Sequence, residues 1–176
     1  GVIGMQMPVD RLIAGIEMLA EQKEHSKEAA QYAAEAIMTT DTVDKQAAVS
    51  FVIGGKTVTM GGMCKGSGMI HPNMCTMLSY VTSDVSISKE LLKKAVKESI
   101  IDTYNMVSVD GDTSTNDTFL FLANGMADNP EISEENNDYE VFKEALLKIN
   151  TILSKKIAGD GEGATALFEA QVVGAK

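Results

Sequence analysis

Residues 46–53 read QAAVSFVI, Gly54 and Gly55 follow, and residues 56–64 read KTVTMGGMC. Apolar and polar side chains alternate on both sides of the two glycines, which is the pattern of a β-hairpin with a tight turn. This limits the fold more than any other stretch, because a lone hairpin is marginal in water and needs further strands or a packed helix. TMLSYVTS, residues 76–83, reads as a third strand beginning at Thr76. In VSVDGDTSTNDTFLFLANG the spacing predicts a strand, a polar loop and another strand, and ATALFEAQVVGA reads as a final strand.

Helical periodicity fills the rest. Pro8 stands where a helix can begin, and Leu12, Ile13, Ile16 and Leu19 recur at helical spacing, which predicts an amphipathic helix near 9–21. Ser26 can cap a second helix, SKEAAQYAAEAIM. Ser88 can cap KELLKKAVKESIIDTY, whose Leu91, Leu92, Ala95, Val96 and Ile100 share one face. DYEVFKEALLKINTILSKKIA is a long helix, GDGEG a turn, TTDT at 39–42 a loop, and EISEENNDYE a solvated loop and helix start. The fold class is α+β, mixed, in one domain over 1–176. With 5% aromatic residues and no Trp, the core is expected to consist of Ala, Val, Ile, Leu and Met.

Composition excludes several partners. A net charge of −10 argues against binding a nucleic-acid backbone, which needs clustered Lys and Arg. No apolar run reaches the roughly 18 residues of a membrane helix, so no membrane partner is expected. Cys64 and Cys75 have neither CxxC spacing nor a His–Cys cluster, so no metal site or disulfide framework is indicated, and reduced thiols fit a cytoplasmic protein. The first residues, GVIGMQ, carry no initiator Met, which suggests a fragment of a longer precursor or a processed product.

Local features invite chemical readings that their residues do not meet. GGMCKGSGM lacks the order of a phosphate loop, and its glycines read as chain flexibility. DGDTSTND departs from an EF-hand, with Gly111 second rather than sixth, and reads as a loop held by side-chain to backbone bonds. His25 and His71 read as surface or loop residues. Thr76, by itself, is a strand-start residue.

Four blocks in order change that reading: AIMTTDT, KGSGMIHPNMCTMLSYVTSD, SVDGDTSTNDTFLFLANG and GDGEGAT. They resemble the ornithine acetyltransferase family, also called glutamate N-acetyltransferase, from Gly1 to about Ala175, the middle of the family's chain. The resemblance implies layered sheets and helices of the ornithine acetyltransferase or DmpA-like type, with N-terminal-nucleophile chemistry. It implies a precursor that cuts itself between Cys75 and Thr76, so that 1–75 ends an α subunit and 76–176 begins a β subunit, with an α2β2 heterotetramer as the assembly. Cys75 stands where alanine is common in the family. Because the attacked group is the carbonyl of residue 75, a small thiol side chain is compatible with the cut.

The implied activity moves an acetyl group from N2-acetylornithine to glutamate in arginine biosynthesis, through an acetyl ester on Thr76. No cofactor is implied, and acetyl-CoA enters only as an acetyl donor in a bifunctional member. By position in the motifs, Thr76 is the nucleophile. Gly1 belongs to an oxyanion hole whose threonine partner precedes this sequence. Thr39 (rather than Thr40), Lys65 and Glu162 contact substrate. Lys65 and Glu162 sit beside glycines in turns, where exposure is expected. Two alternatives stand beside this reading: an N-terminal-nucleophile amidohydrolase or aminopeptidase of similar fold, and a non-catalytic fragment or interaction module.

Overall fold

The computed structural model describes residues 4–71 and 77–174. It divides into two compact units, Gly1–Ala33 and Ala34–Lys176. In the first, α1 spans Val9–Gln22 with Pro8 at its N-cap position. The second helix, α2, spans Lys27–Ala36, and the amide of Ala29 donates to the Ser26 hydroxyl at 3.0 Å, the expected cap.

The second unit is built on one sheet of four strands, β1 (Lys45–Ile53), β2 (Lys56–Lys65), β3 (Leu78–Ser83) and β4 (Thr118–Ala123), in that order across the sheet. β1 and β2 form the expected hairpin, with Ile53 opposite Lys56 and Lys45 opposite Cys64. β2 pairs antiparallel with β3, from Met60 opposite Ser83 to Lys65 opposite Leu78. β3 and β4 run parallel, so their connection must cross over, and α3 (Lys89–Ile101) with a 3-10 turn at Tyr104–Met106 makes that crossing. Ser88 caps α3 by accepting from the amide of Leu91. The long helix α4 spans Asn137–Gly159, capped by the Asn136 side chain, which accepts from the amide of Tyr139 at 3.1 Å.

Alternation along the strands decides which face is covered. Ile53, Val58, Met60, Cys64 and Val81 are buried on one face, while Ser50, Val52, Thr82 and Leu122 point the other way and are exposed. α4 lies across β1 and β2 on the buried face, and α3 packs beside α4. Its inward stripe, Tyr139, Phe142, Leu146, Ile149, Leu153 and Ile157, repeats at three and four residues and is almost wholly buried.

Three expectations give way. The core is not purely aliphatic: Tyr104, Tyr139 and Phe142 are buried, and Phe142 packs against Phe51 and Phe121 with ring centroids 6.4 and 5.9 Å apart. A low aromatic share still reaches the core because Phe51, Tyr104, Phe119, Phe121, Tyr139 and Phe142 lie in it or pack against it. Residues 107–110 form no strand; Val109 makes a single backbone bond to the Ile70 carbonyl, and the Asp110 carboxylate takes the next amides, leaving no ladder. ATALFEAQVVGA, as far as Gly174, adopts no regular structure, and Phe168 and Val173 are exposed. A strand needs a paired neighbour for its backbone groups, and among the described residues none offers one there.

Three of the four glycines of GGMCKGSGM, Gly62, Gly66 and Gly68, are sites of close approach, whereas a Cβ on Gly61 would meet nothing within 4 Å. A Cβ on Gly62 would meet Leu153 of α4 at 3.0 Å and Val81 at 3.2 Å, so this glycine lets helix and sheet touch. The hairpin glycines both have left-handed backbones, φ +53° at Gly54 and +77° at Gly55, but a Cβ on Gly54 would lie 2.5 Å from the Pro130 ring, whereas none lies within 4 Å at Gly55. Asn tolerates the left-handed region, so Gly55→Asn is expected to leave stability nearly unchanged. Gly54→Asn is expected to cost about 1–3 kcal/mol through collision with Pro130. Urea unfolding of the two variants checks the order; equal costs would remove the Pro130 contact from the account.

Candidate active site

Lys45 is the first residue of β1 and faces inward, opposite Cys64. An ammonium buried there must find anions, because an isolated charge in an apolar interior is very costly. It finds two. Its Nζ lies 2.6 Å from Asp41 Oδ1 and 2.5 Å from Asp160 Oδ2, and it donates to the Val43 carbonyl at 3.2 Å. Asp160 is the C-cap of α4, where a cation is favourable to the helix dipole, and it also accepts from the Thr42 amide at 3.0 Å and from the Thr42 hydroxyl. Burial raises the Asp41 carboxyl, but the Lys45 bond and the amides of Gly66 and Thr39 outweigh it, so it sits below the ordinary value. Burial acts likewise on Asp160, and Lys45 and Thr42 outweigh it in the same direction.

Asp41 extends this network to the rim of the sheet. Its Oδ1 also accepts from the Gly66 amide at 2.7 Å, and its Oδ2 from the Thr39 amide at 3.1 Å. Between those two anchor points the Lys65 ammonium reaches the Thr39 hydroxyl at 3.4 Å. The Thr40 hydroxyl is shared instead with Ser67, at 2.7 Å. Glu162 joins from the turn after α4: its amide donates to the Ser67 carbonyl at 2.7 Å, and its carboxylate covers Gly68, where a Cβ would come within 2.5 Å of Glu162 Cδ. Thr39, Lys65 and Glu162, dispersed over more than a hundred positions of sequence, thus meet around Gly66–Gly68.

Lys65 departs from its expected exposure. It is the last residue of β2, only 9% exposed, while Thr39 and Glu162 are exposed. It pairs with Leu78 of β3, and its ammonium turns toward the Thr39 hydroxyl. Gly1, Cys75 and Thr76 lie outside the described residues.

The polar loop 110–117 holds the chain on both sides of 72–76. Asp110 accepts from the amides of Met69 at 2.5 Å, Ile70 at 3.1 Å and Asp112 at 3.0 Å, and these bonds lower its carboxyl below the ordinary value. Asp117 accepts from the amide of Met77 at 2.8 Å; burial raises its carboxyl, against that bond and the Lys65 charge. The loop is therefore held by side-chain to backbone bonds, as expected, and these reach some forty residues away as well as locally. His25 and His71 are both exposed, and the His71 ring contacts the Ser108 hydroxyl at 3.3 Å.

A groove of about 750 Å³ runs between the end of α4, residues 102–109 and the irregular segment 162–170. It shares only Glu162 with the cluster, so this groove and the convergent polar groups do not coincide. Among the described residues no three His, Cys, Asp or Glu side chains gather as for a metal ion, and no helix is long and apolar enough to cross a membrane.

Asp41, Lys45, Ser67 and Asp160 were not singled out from sequence. Asp41 and Asp160 lie inside TTDT and GDGEG, and the available sign was Lys45, a charge at an inward position of an alternating strand.

Fold and cluster together define a mixed α/β protein in which a lysine at the end of β2, a threonine of the loop before β1 and a glutamate of the turn after α4 lie around Gly66–Gly68. The whole chain, residues 1–176, matches the ArgJ family, and it belongs to that family. It is 56% identical over 175 residues to the arginine biosynthesis bifunctional protein ArgJ 1 of Clostridium acetobutylicum, covering 99% of this chain and 42% of that protein. It is 52% identical to the arginine biosynthesis bifunctional protein ArgJ of Bacillus subtilis, covering 100% of this chain and 42% of that protein. The crystal structure of the ArgJ protein of Bacillus halodurans aligns at TM-score 0.49 and 44% identity, over 51% of this chain and 42% of that one. The chain spans less than half the length of these relatives.

The depressed Asp41 and Asp160 carboxyls fix the sign of an acid transition. Their folded values lie below the unfolded reference of about 3.9, so their stabilisation is present above about pH 4 and is lost as pH falls through the folded values. Lys45→Met, which strands two buried carboxylates, is expected to cost about 3–5 kcal/mol at neutral pH. Without the ammonium those carboxylates are relieved by protonation, so the gap in thermal midpoint between parent and variant should narrow from pH 7 to pH 3. A gap independent of pH would show that Lys45 contributes packing rather than charge.

Proposed function

We propose that this chain is the middle of a self-cleaving acetyltransferase that moves the acetyl group of N2-acetylornithine to glutamate. The observation that carries the reading is the meeting of Thr39, Lys65 and Glu162 around Gly66–Gly68, a few residues before the proposed junction. Membership of the ArgJ family, and the arginine biosynthesis in its relatives' names, support the pathway.

The junction is the bond between Cys75 and Thr76, leaving 1–75 as the end of an α subunit and 76–176 as the start of a β subunit. A threonine hydroxyl needs a base, and cleavage supplies one: the new α-amine of Thr76, with a reference pKa of about 7.7–8.0. The Thr76 oxygen attacks the acetyl carbonyl, the C–N bond to ornithine breaks with a proton passing to the leaving amine, and an acetyl ester remains. The α-amine of glutamate attacks that ester and restores the hydroxyl. Lys65 suits the α-carboxylate of either substrate, Glu162 suits the cationic side chain of ornithine, and Thr39 supplies a hydroxyl beside Lys65. Gly1 contributes to the oxyanion hole, a kind of interaction worth several kcal/mol. Acetyl-CoA extends the same ester to direct acetylation of glutamate in a bifunctional enzyme. The proposed assembly is α2β2 and the location cytoplasmic, in keeping with the free, buried thiol of Cys64.

In a chain of full family length, intact-mass analysis is expected to show two pieces, the second starting at Thr76, and one uncut piece for Thr76→Ala. Cys75→Ala should keep cleavage and transfer within about tenfold of the parent, roughly 1.4 kcal/mol in barrier. Splitting of Thr76→Ala at the same bond, or acetyl trapped on Cys75, would overturn the assignment of the nucleophile.

Glu162 is exposed, so Glu162→Ala should raise KM for acetylornithine while leaving the thermal midpoint nearly unchanged. Lost stability with unaltered kinetics would make Glu162 a turn residue only.

A further inference from the structure

We propose that Asp41 is a positioning residue for the Lys65–Thr39 pair, held in place by the buried Lys45–Asp160 bridge; this rests on the reading of Lys65 and Thr39 as substrate contacts. The geometry is specific. One carboxylate binds the backbone beside each member of the pair, at the Thr39 amide itself and at the Gly66 amide that follows Lys65. The two segments belong to different elements, the loop before β1 and the end of β2, and the side-chain contact between them is long at 3.4 Å. A long lysine side chain retains several rotatable bonds, so a contact of that length does not by itself fix where its ammonium sits. Asp41 fixes the two backbones instead.

The bridge behind Asp41 explains why a carboxylate, with its cost of burial, stands at this position. Asp41 is 9% exposed and its side chain fully buried, as is that of Lys45. Lys45 occupies one side of Oδ1, which leaves that oxygen's remaining direction for Gly66 and Oδ2 for Thr39. Asp160 holds Lys45 from the end of α4, two residues before Glu162. One continuous set of charged hydrogen bonds therefore ties the loop carrying Thr39, the strand carrying Lys65 and the turn carrying Glu162. Errors of about 1 Å in such a set are enough to cost roughly a hundredfold in rate.

The test is a double-mutant cycle in a chain of full family length, with Asp41→Asn and Lys65→Ala singly and together. Each variant is followed by KM and kcat for acetylornithine, by thermal midpoint, and by labelling of Lys65 with acetic anhydride read by mass spectrometry. Asp41→Asn should raise KM at least about tenfold in the folded protein, and should add little once Lys65 is Ala, because residues acting through one another are not additive. Labelling of Lys65 should rise several-fold in Asp41→Asn. Unchanged KM and labelling in a folded Asp41→Asn, or full additivity with Lys65→Ala, would reduce Asp41 to a stabilising residue and overturn the inference. Where Asp41→Asn does not fold alone, Asp41→Asn with Lys45→Met and Asp160→Asn removes all three buried charges together and takes its place in the cycle. A parent without acetyl transfer would sink the acetyltransferase reading instead, and the labelling comparison would still decide whether Asp41 positions Lys65.

Discussion

A single buried ammonium organises this sheet's functional edge. Lys45 lies between the carboxylates of Asp41 and Asp160 at 2.6 and 2.5 Å, fully out of solvent. Replacing such a set with well-packed apolar side chains is often neutral or even stabilising, so its retention is poorly explained by stability alone. Apolar side chains in its place would not bind the backbone amides of Thr39 and Gly66, nor tie the C-terminus of α4 to the start of β1. The charges convert a packing problem into a directional one, and the backbones at Thr39 and Gly66 are held by it.

Close approach of backbone does the complementary work. Gly62 allows Leu153 to reach the sheet, and Gly68 allows the Glu162 carboxylate to lie directly over the chain. Any side chain at Gly68 would have to displace the Glu162 carboxylate. Cys64, the residue before Lys65, takes no chemical part. Burial pushes the Cys64 thiol up to about 12, and it donates to the Leu153 carbonyl at 3.6 Å, so it stays a thiol at neutral pH.

Much of the fold was legible because it is governed by local pattern. The hairpin followed from alternation about Gly54-Gly55, α3 from apolar spacing and a cap at Ser88, α4 as a long helical stretch, and the loop character of TTDT from its short polar side chains. The misses share a cause in tertiary context. Residues 107–110 and 164–174 carry strand-like composition, but a strand forms only where another backbone completes its ladder, which no local pattern encodes. Lys65 reads as a turn lysine beside Gly66, but its pairing with Leu78 makes it the last residue of a strand. For the site, motif order brought Thr39, Lys65 and Glu162 to notice, whereas Asp41 and Asp160 acquire their roles only when β1 brings Lys45 between them.

The topology also bears on what a cut after Cys75 would do. The proposed junction lies in the β2–β3 connection, and those strands are neighbours joined over six residue pairs, from Met60–Ser83 to Lys65–Leu78. The piece ending at Cys75 would keep β1 and β2; the piece starting at Thr76 would keep β3, β4, α3 and α4. Neither has a core alone, since α4 lies across β1 and β2, and Phe142 of the second piece packs on Phe51 of the first. Lys45 and Asp41 would belong to one piece and Asp160 to the other, so the buried bridge spans the division. The bonds of Asp110 to Met69 and Ile70 cross it as well, while that of Asp117 to Met77 stays within the second piece. Breaking the peptide bond would therefore free a new terminus without releasing either strand, because separating the pieces would require undoing the sheet, the core and the ion bridge together.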